Sequence, residues 1–295
     1  MLAKRTNLLI GLMATLLALG CSEVTPAPTE VPGPGPDENL PPPPAPTPEP
    51  CAKIDFLFVV DDSYSMYEEQ SNLAQNFPKF LEIIDNYINS AGSFLDYRLA
   101  VTTTGVNTAE NNSSGMDGAF RAGCGLEVPY VQRTDFDVAD TFACRAAVGV
   151  DGPAVEMPVL ATELALSERI VDGTNGDFLR DDALLAVIIL TDEDDCASYD
   201  GELADGECHA SMDDAVAFFD NLKGERSKWA LSVIAGETDC TSTFGSADEA
   251  VRLKELVNKT GQNGVFNSIC EGDLTPALTE SIDTFSAACE NFGIE

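Results

Sequence analysis

The sequence predicts an α/β fold: a doubly wound, mostly parallel sheet with helices on both faces. Three observations carry this expectation. Apolar runs with the composition of strands buried on both sides recur through residues 51–295. Helical patterns lie between and after them. Two of the runs also stop abruptly in acids and hydroxyls, where the strands of an open parallel sheet meet a ligand crevice.

The elements follow in chain order. "IDFLFVV" (54–60) is the first strand, and its lack of alternation predicts that helices cover both faces. Leu73, Phe77, Phe80, Leu81, Ile84 and Ile88 then fall on one helical stripe, which Pro78 should kink or restart. "YRLAVTT" (97–103) is the second strand. Residues 105–153 are rich in Gly, Asn and Asp and weakly periodic, which predicts an irregular excursion with a short edge strand near "VPYVQ". Leu160, Leu164 and Val171 form another helical stripe before the strand "ALLAVIIL" (183–190). Ser211 is an expected N-cap and Gly224 a C-terminal cap, followed by the strand "WALSVIA" (229–235), which Trp229 opens as a core residue. Ser246 is a second expected N-cap, "SADE" (246–249) fits a capping box, and Gly261 fits a C-terminal cap. A last helix starts near Thr275-Pro276 and stacks Leu278, Ile282, Phe285 and Cys289.

The first fifty residues read differently. Lys4 and Arg5 precede "LLIGLMATLLALG", an apolar run too short for an ordinary membrane span and expected to be a secretory signal over 1–20. It ends in "LALGC", which resembles the bacterial lipobox, so Cys21 is the expected lipidated N-terminus of the mature chain. Residues 21–50 are then a proline-rich spacer that cannot pack a core. Ser22 fits sorting to the outer membrane of a Gram-negative bacterium. Nine cysteines are an odd number for an exported chain, and lipidation of Cys21 leaves eight to pair.

Charge narrows the partners. Sixteen basic residues against 50 acidic ones give a net charge of −34. Without a basic patch there is nothing to displace phosphate counterions, so nucleic acid is excluded as a partner. The membrane is reached through the lipid anchor alone. Enzyme chemistry also has little to work with: one histidine, His209, expected at the surface beside Cys208, and no GxSxG, HExxH, CxxC or phosphate-cradling glycine loop. The acidic run 192–207 is expected to be a solvated, disulfide-clipped loop, since no EF-hand spacing fits it.

The strand ends hold the constellation that remains. "FLFVVDDSYS" spaces Asp61, Ser63 and Ser65 so that a turn can aim all three at one point, and "AVIILTDEDD" brings Asp192 to the equivalent place. Two hydroxyls and two carboxylates suit a hard divalent cation, Mg2+ first, with Mn2+ or Ca2+ as alternatives. These two motifs resemble the metal ion-dependent adhesion site of von Willebrand factor type A domains, and the resemblance spans about residues 51–289. It implies direct coordination by Ser63 and Ser65, with Asp61 and Asp192 acting through water. It further implies that neutral hydroxyls leave the ion able to take an acidic side chain from a protein or extracellular-matrix ligand. The family's threonine is missing: its loop reads "AVGVDGPAVE", with Val150 and Asp151 at the expected place. Asp151 is the substitute oxygen donor, and Thr141 a poorer one.

Expected disulfides are Cys124–Cys144, Cys196–Cys208 and Cys240–Cys270 from local spacing. Cys51–Cys289 is expected from the proximity of domain ends and from terminal bridges in some domains of this type. Spacing alone leaves other connectivities open. Together the readings give a lipid-anchored envelope adhesion module. The alternative is a structural envelope component on the same fold with a degenerate, metal-free site.

Overall fold

A computed structural model describes residues 52–87, 89, 92–107, 115–196 and 211–292. The expected signal, Cys21, the spacer, Cys51, Ile88, Cys208 and His209 lie outside the described residues. No helix among the described residues is long and apolar enough to cross a membrane.

The strands and helices alternate as expected. The chain runs β1 (Lys53–Val60), α1 (Tyr67–Asn86), β2 (Asp96–Thr103), β3 (Val131–Gln132), α2 (Val138–Ala146), α3 (Pro158–Leu166), α4 (Glu168–Val171) and β4 (Leu184–Leu190). It continues through α5 (Met212–Lys223), β5 (Trp229–Ala235), the hairpin strands β6 (Cys240–Ser242) and β7 (Gly245–Ala247), α6 (Val251–Thr260), β8 (Gly264–Ser268) and α7 (Thr275–Glu290). The main sheet has the order β3-β2-β1-β4-β5-β8, and only β3, at one edge, is antiparallel.

Side-chain alternation explains the greasy strands. Phe56, Phe58 and Val60 of β1 lie in register with Leu99 and Val101 of β2 and with Ala186, Ile188 and Leu190 of β4. All of them face a core shared with α1, α2 and α7. Leu57 and Val59 point the other way, with Val187 and Ile189, into a second core under α3, α5 and α6. β1 and β4 therefore bury both their odd and their even residues.

Several local expectations need correction. Helix α1 runs unbroken through Pro78, whose exposed position turns the lost backbone hydrogen bond toward water rather than the core. Residues 105–153 are less irregular than their composition suggests. They hold β3 and also α2, whose Phe142 packs edge-on against Phe58 and Phe77 at 5.0 and 5.4 Å between centroids. The stripe of Leu160, Leu164 and Val171 forms only in part, since Leu160 and Leu164 pack partly buried against the second core but Val171 does not. The chain breaks at Ser167, Val171 is 88% exposed, and the fully buried positions of α3 include Val159, Ala161, Ala165 and Leu166.

Ser246 does not cap a helix either. It pairs with Thr241 across the β6–β7 hairpin, and α6 begins only at Val251. Its first amides instead donate to a carboxylate distant in sequence: Asp194 accepts from Arg252 N at 2.9 Å and from Leu253 N at 3.1 Å. The acidic run is accordingly not solvated where it is described, since Asp192 and Asp195 are 3% and 1% exposed.

Other expectations correspond to what is observed. Gly224 ends α5 and Gly261 follows α6, both at positive φ. Ser211 stands at the N-cap of α5, although its side chain caps no backbone amide. Trp229 is fully buried, stacked on Phe219 at 4.7 Å, with its indole N–H on Asp220 Oδ1. Cys124 is bonded to Cys144 and Cys240 to Cys270, with Cα separations of 6.1 and 6.3 Å. Cys196 and Cys289 are also disulfide-bonded.

Candidate metal centre

β1 and β4 are parallel neighbours, so the residues that follow them emerge side by side at one edge of the sheet. Asp61 N donates to Leu190 O at 2.9 Å, which carries the ladder one step beyond the strands. The Asp61 side chain is fully buried, and each of its oxygens is held. Oδ1 accepts from Ser63 N at 2.8 Å, and Oδ2 accepts from Thr191 Oγ1 at 2.6 Å. Gln70 of α1 donates to the Asp61 carbonyl at 2.7 Å. The turn between β1 and α1 is thereby fixed from both sides.

That turn brings the expected residues together. Ser63 Oγ and Ser65 Oγ lie 2.8 Å apart, and Ser65 Oγ donates to Asp192 Oδ1 at 3.3 Å. Ser65 is exposed. Ser65 and Asp192 line a cavity of about 360 Å³ whose far wall is the hairpin, at Ser242, Gly245 and Ser246. A smaller cavity of about 170 Å³ lies beside it, where Glu193 and Asp248 join the same two residues.

The third loop is placed against the site, but not through the residues expected. Gly152 N donates to Asp62 O at 2.7 Å, and a Cβ on Gly152 would come within 2.3 Å of Asp62 Oδ1. Glycine is required there by that approach. Val150 is only partly buried and Asp151 is exposed. The buried charged side chain of this loop is Glu156, at 0% exposure. Thr141 Oγ1 is directed to the Cys124 carbonyl at 3.5 Å.

The electrostatics are one-sided. Burial raises the pKa of Asp61. Burial, followed by the charges of Asp61, Glu69 and Glu193, pushes Asp192 up to about 9. Burial likewise lifts Glu69 and Glu193 to about 7 and Asp62 to about 6. Carboxylate oxygens of Asp62, Glu69, Glu156 and Glu193 are buried without a hydrogen-bond partner.

Buried, unpartnered carboxylate oxygens around a hydroxyl pair are the environment that a hard divalent cation neutralises. The residues present therefore fit such an ion. Among the described residues no three Asp, Glu, His or Cys side chains form a metal-holding group by themselves, so the fit depends on the hydroxyls of Ser63 and Ser65. Sequence reasoning missed Glu69, Gln70, Glu156 and the hairpin wall. Thr191 lies within "AVIILTDEDD", where nothing local marks it as the partner of Asp61.

No family model matches the sequence, and no curated protein matches it. Similar solved structures include proximal thread matrix protein 1 from the mussel byssus, at 15% identity and a TM-score of 0.42, covering 81% of this chain and 46% of that one. The pilus adhesin SpaC from Lactobacillus rhamnosus GG is 12% identical, with a TM-score of 0.39 and coverages of 81% and 31%. The PilB minor pilin from Streptococcus sanguinis is 11% identical, with a TM-score of 0.39 and coverages of 84% and 64%. A further structure of the mussel protein has a zinc-occupied MIDAS motif. The chain spans less than two thirds of the length of each of these proteins.

Proposed function

We propose that the domain is a binding module of the cell envelope that captures a protein or matrix ligand through a divalent cation, Mg2+ foremost, and that it is not an enzyme. In this reading it is exported and held at the outer membrane through lipid on Cys21. The carrying observation is the hydroxyl pair Ser63–Ser65, set between Asp61 and Asp192 at the mouth of a cavity and surrounded by unpartnered carboxylate oxygens.

Each residue has a role in that reading. Ser63 and Ser65 donate hydroxyl oxygens directly. Asp61 has both oxygens engaged by Ser63 N and Thr191 Oγ1, so it orients the turn and contributes charge from behind it. Asp192 holds the Ser65 hydroxyl from the neighbouring strand. A bound cation would supply an electrophilic position that accepts an acidic side chain from the partner. Through such an intermediary an acidic protein can bind an acidic ligand. The alternative, a structural component with a metal-free site, leaves the buried, unpartnered carboxylates without a counter-charge.

Calorimetry of the purified domain with Mg2+ and Mn2+ tests the reading, together with ligand capture from envelope extract in the presence and absence of EDTA. Saturable binding of either ion, with capture lost in EDTA, is expected. No heat of binding together with EDTA-insensitive capture would reject the reading in favour of the structural alternative.

A further inference from the structure

We infer that Glu156 supplies the oxygen donor of the third loop, through its unpartnered Oε1, in the role expected of Asp151. The inference rests on the metal-binding reading above and names one more residue of that site.

Three connections place Glu156 where the strand ends converge. Its Oε2 accepts a hydrogen bond from Thr104 Oγ1, in the residue that follows β2. Its carbonyl accepts from Cys196 N at 2.6 Å, in the loop that carries Asp192 away from β4. Its neighbour Met157 donates to Thr104 O at 3.2 Å, and Thr104 N donates to Val60 O, one residue before Asp61. Glu156 is therefore wedged between the carboxyl ends of β2, β1 and β4, the three strands whose termini bound the site.

Burial then makes the second oxygen informative. Glu156 has no exposed surface, and Oε1 finds no donor. After burial itself, the charge of Asp61 is the largest influence on the Glu156 carboxyl, followed by Thr104 and Asp62. A carboxylate without a partner in such a place is costly unless a positive charge compensates it. Asp151 is exposed, and a charge there is screened by solvent. With Glu156 included, two carboxylates, Asp192 and Glu156, stand with the Ser63 and Ser65 hydroxyls in the donor set, while Asp61 stays behind it with both oxygens engaged. That set holds a divalent ion more firmly than a single carboxylate and neutral hydroxyls would.

The test is Mn2+ affinity, measured by electron paramagnetic resonance on the wild-type domain, Glu156→Gln and Asp151→Asn. Glu156→Gln keeps an acceptor for Thr104 and removes only the charge. It should weaken Mn2+ binding by about 10-fold or more, while the metal-free variant melts no lower than wild type because a buried charge is gone. Asp151→Asn should change the affinity by less than about twofold. If Glu156→Gln does not fold, Glu156→Asp is measured: it withdraws the carboxylate by one methylene and should weaken binding in the same direction. Wild-type affinity in the folded Glu156 variant, or an equal loss in Asp151→Asn, overturns the inference while leaving the metal site standing. Absence of Mn2+ binding in the wild-type domain overturns both.

Discussion

Thr191 Oγ1 donates a 2.6 Å hydrogen bond to Asp61 Oδ2, tying the residue that follows β4 to the residue that follows β1. Ser63 N holds the other oxygen of the same carboxylate at 2.8 Å. Asp61 is thus both a charge behind the hydroxyl pair and the anchor of the turn that presents it. A hydroxyl donor carries no charge of its own, whereas Asp61 contributes charge and orientation together.

That difference orders three substitutions. Asp61→Ala should abolish Mg2+ binding in calorimetry, with the circular dichroism of the fold retained. Ser63→Ala removes one neutral donor and should weaken binding by roughly 10-fold, about the value of a single hydrogen-bond-strength interaction. Thr191→Val leaves every oxygen of the site in place but releases Asp61 Oδ2, and its effect should fall between the two. Retained Mg2+ binding in Asp61→Ala would remove Asp61 from the site.

Asp194 has a structural role separable from the metal. Its carboxylate accepts from the Arg252 and Leu253 amides at the start of α6, a cap supplied from 58 residues away. Asp194→Ala should cost about 1–2 kcal/mol in urea unfolding, and Asp194→Asn less, since the amide keeps one acceptor. An unchanged midpoint in Asp194→Ala would show that the cap contributes nothing.

These contacts separate what the sequence could reveal from what it could not. Phe56 to Val60 and Leu184 to Leu190 announce buried parallel strands because both side-chain parities are apolar. Asp61, Ser63 and Ser65 are legible because a single turn carries all three, and Asp192 because its strand is as apolar as theirs. Glu69 and Glu156 are ordinary acids in sequence, and only burial by distant segments distinguishes them. "SADE" fits a capping box and a hairpin strand equally well locally. What decides between them is the pairing of Ser246 with Thr241 and the arrival of Asp194 at the helix start. Helix α2 is short and buries few residues, chiefly Phe142, Arg145 and Ala146, too few for a periodic signal.

Glu69 gives the metal-free domain a pH dependence whose sign can be worked out. Its carboxylate is buried on α1 beneath the hairpin, where a Cβ on Gly245 would come within 1.6 Å of Oε1. Burial is the main cause that pushes its pKa up to about 7, and the charges of Glu68 and Asp61 add to it. The backbone amides of Glu69 and Ser246 oppose the shift, while Asp192 is a further acid within its field. The ordinary value is 4.5, so the folded state holds the proton more tightly than the unfolded state. Stability is therefore greatest below about 4.5 and falls as pH rises toward 7. Glu69→Gln cannot ionise and should not show this loss. Measured in EDTA, the variant should gain on wild type across that window, by at most about 3 kcal/mol at its upper end, since one pKa unit is worth about 1.4 kcal/mol. Gly245→Ala should melt lower at every pH, because its methyl group overlaps the same carboxylate and its φ of +133° is strained for alanine. Thermal unfolding curves of wild type and Glu69→Gln that stay parallel from acid to neutral pH would show that Glu69 is not the group responsible.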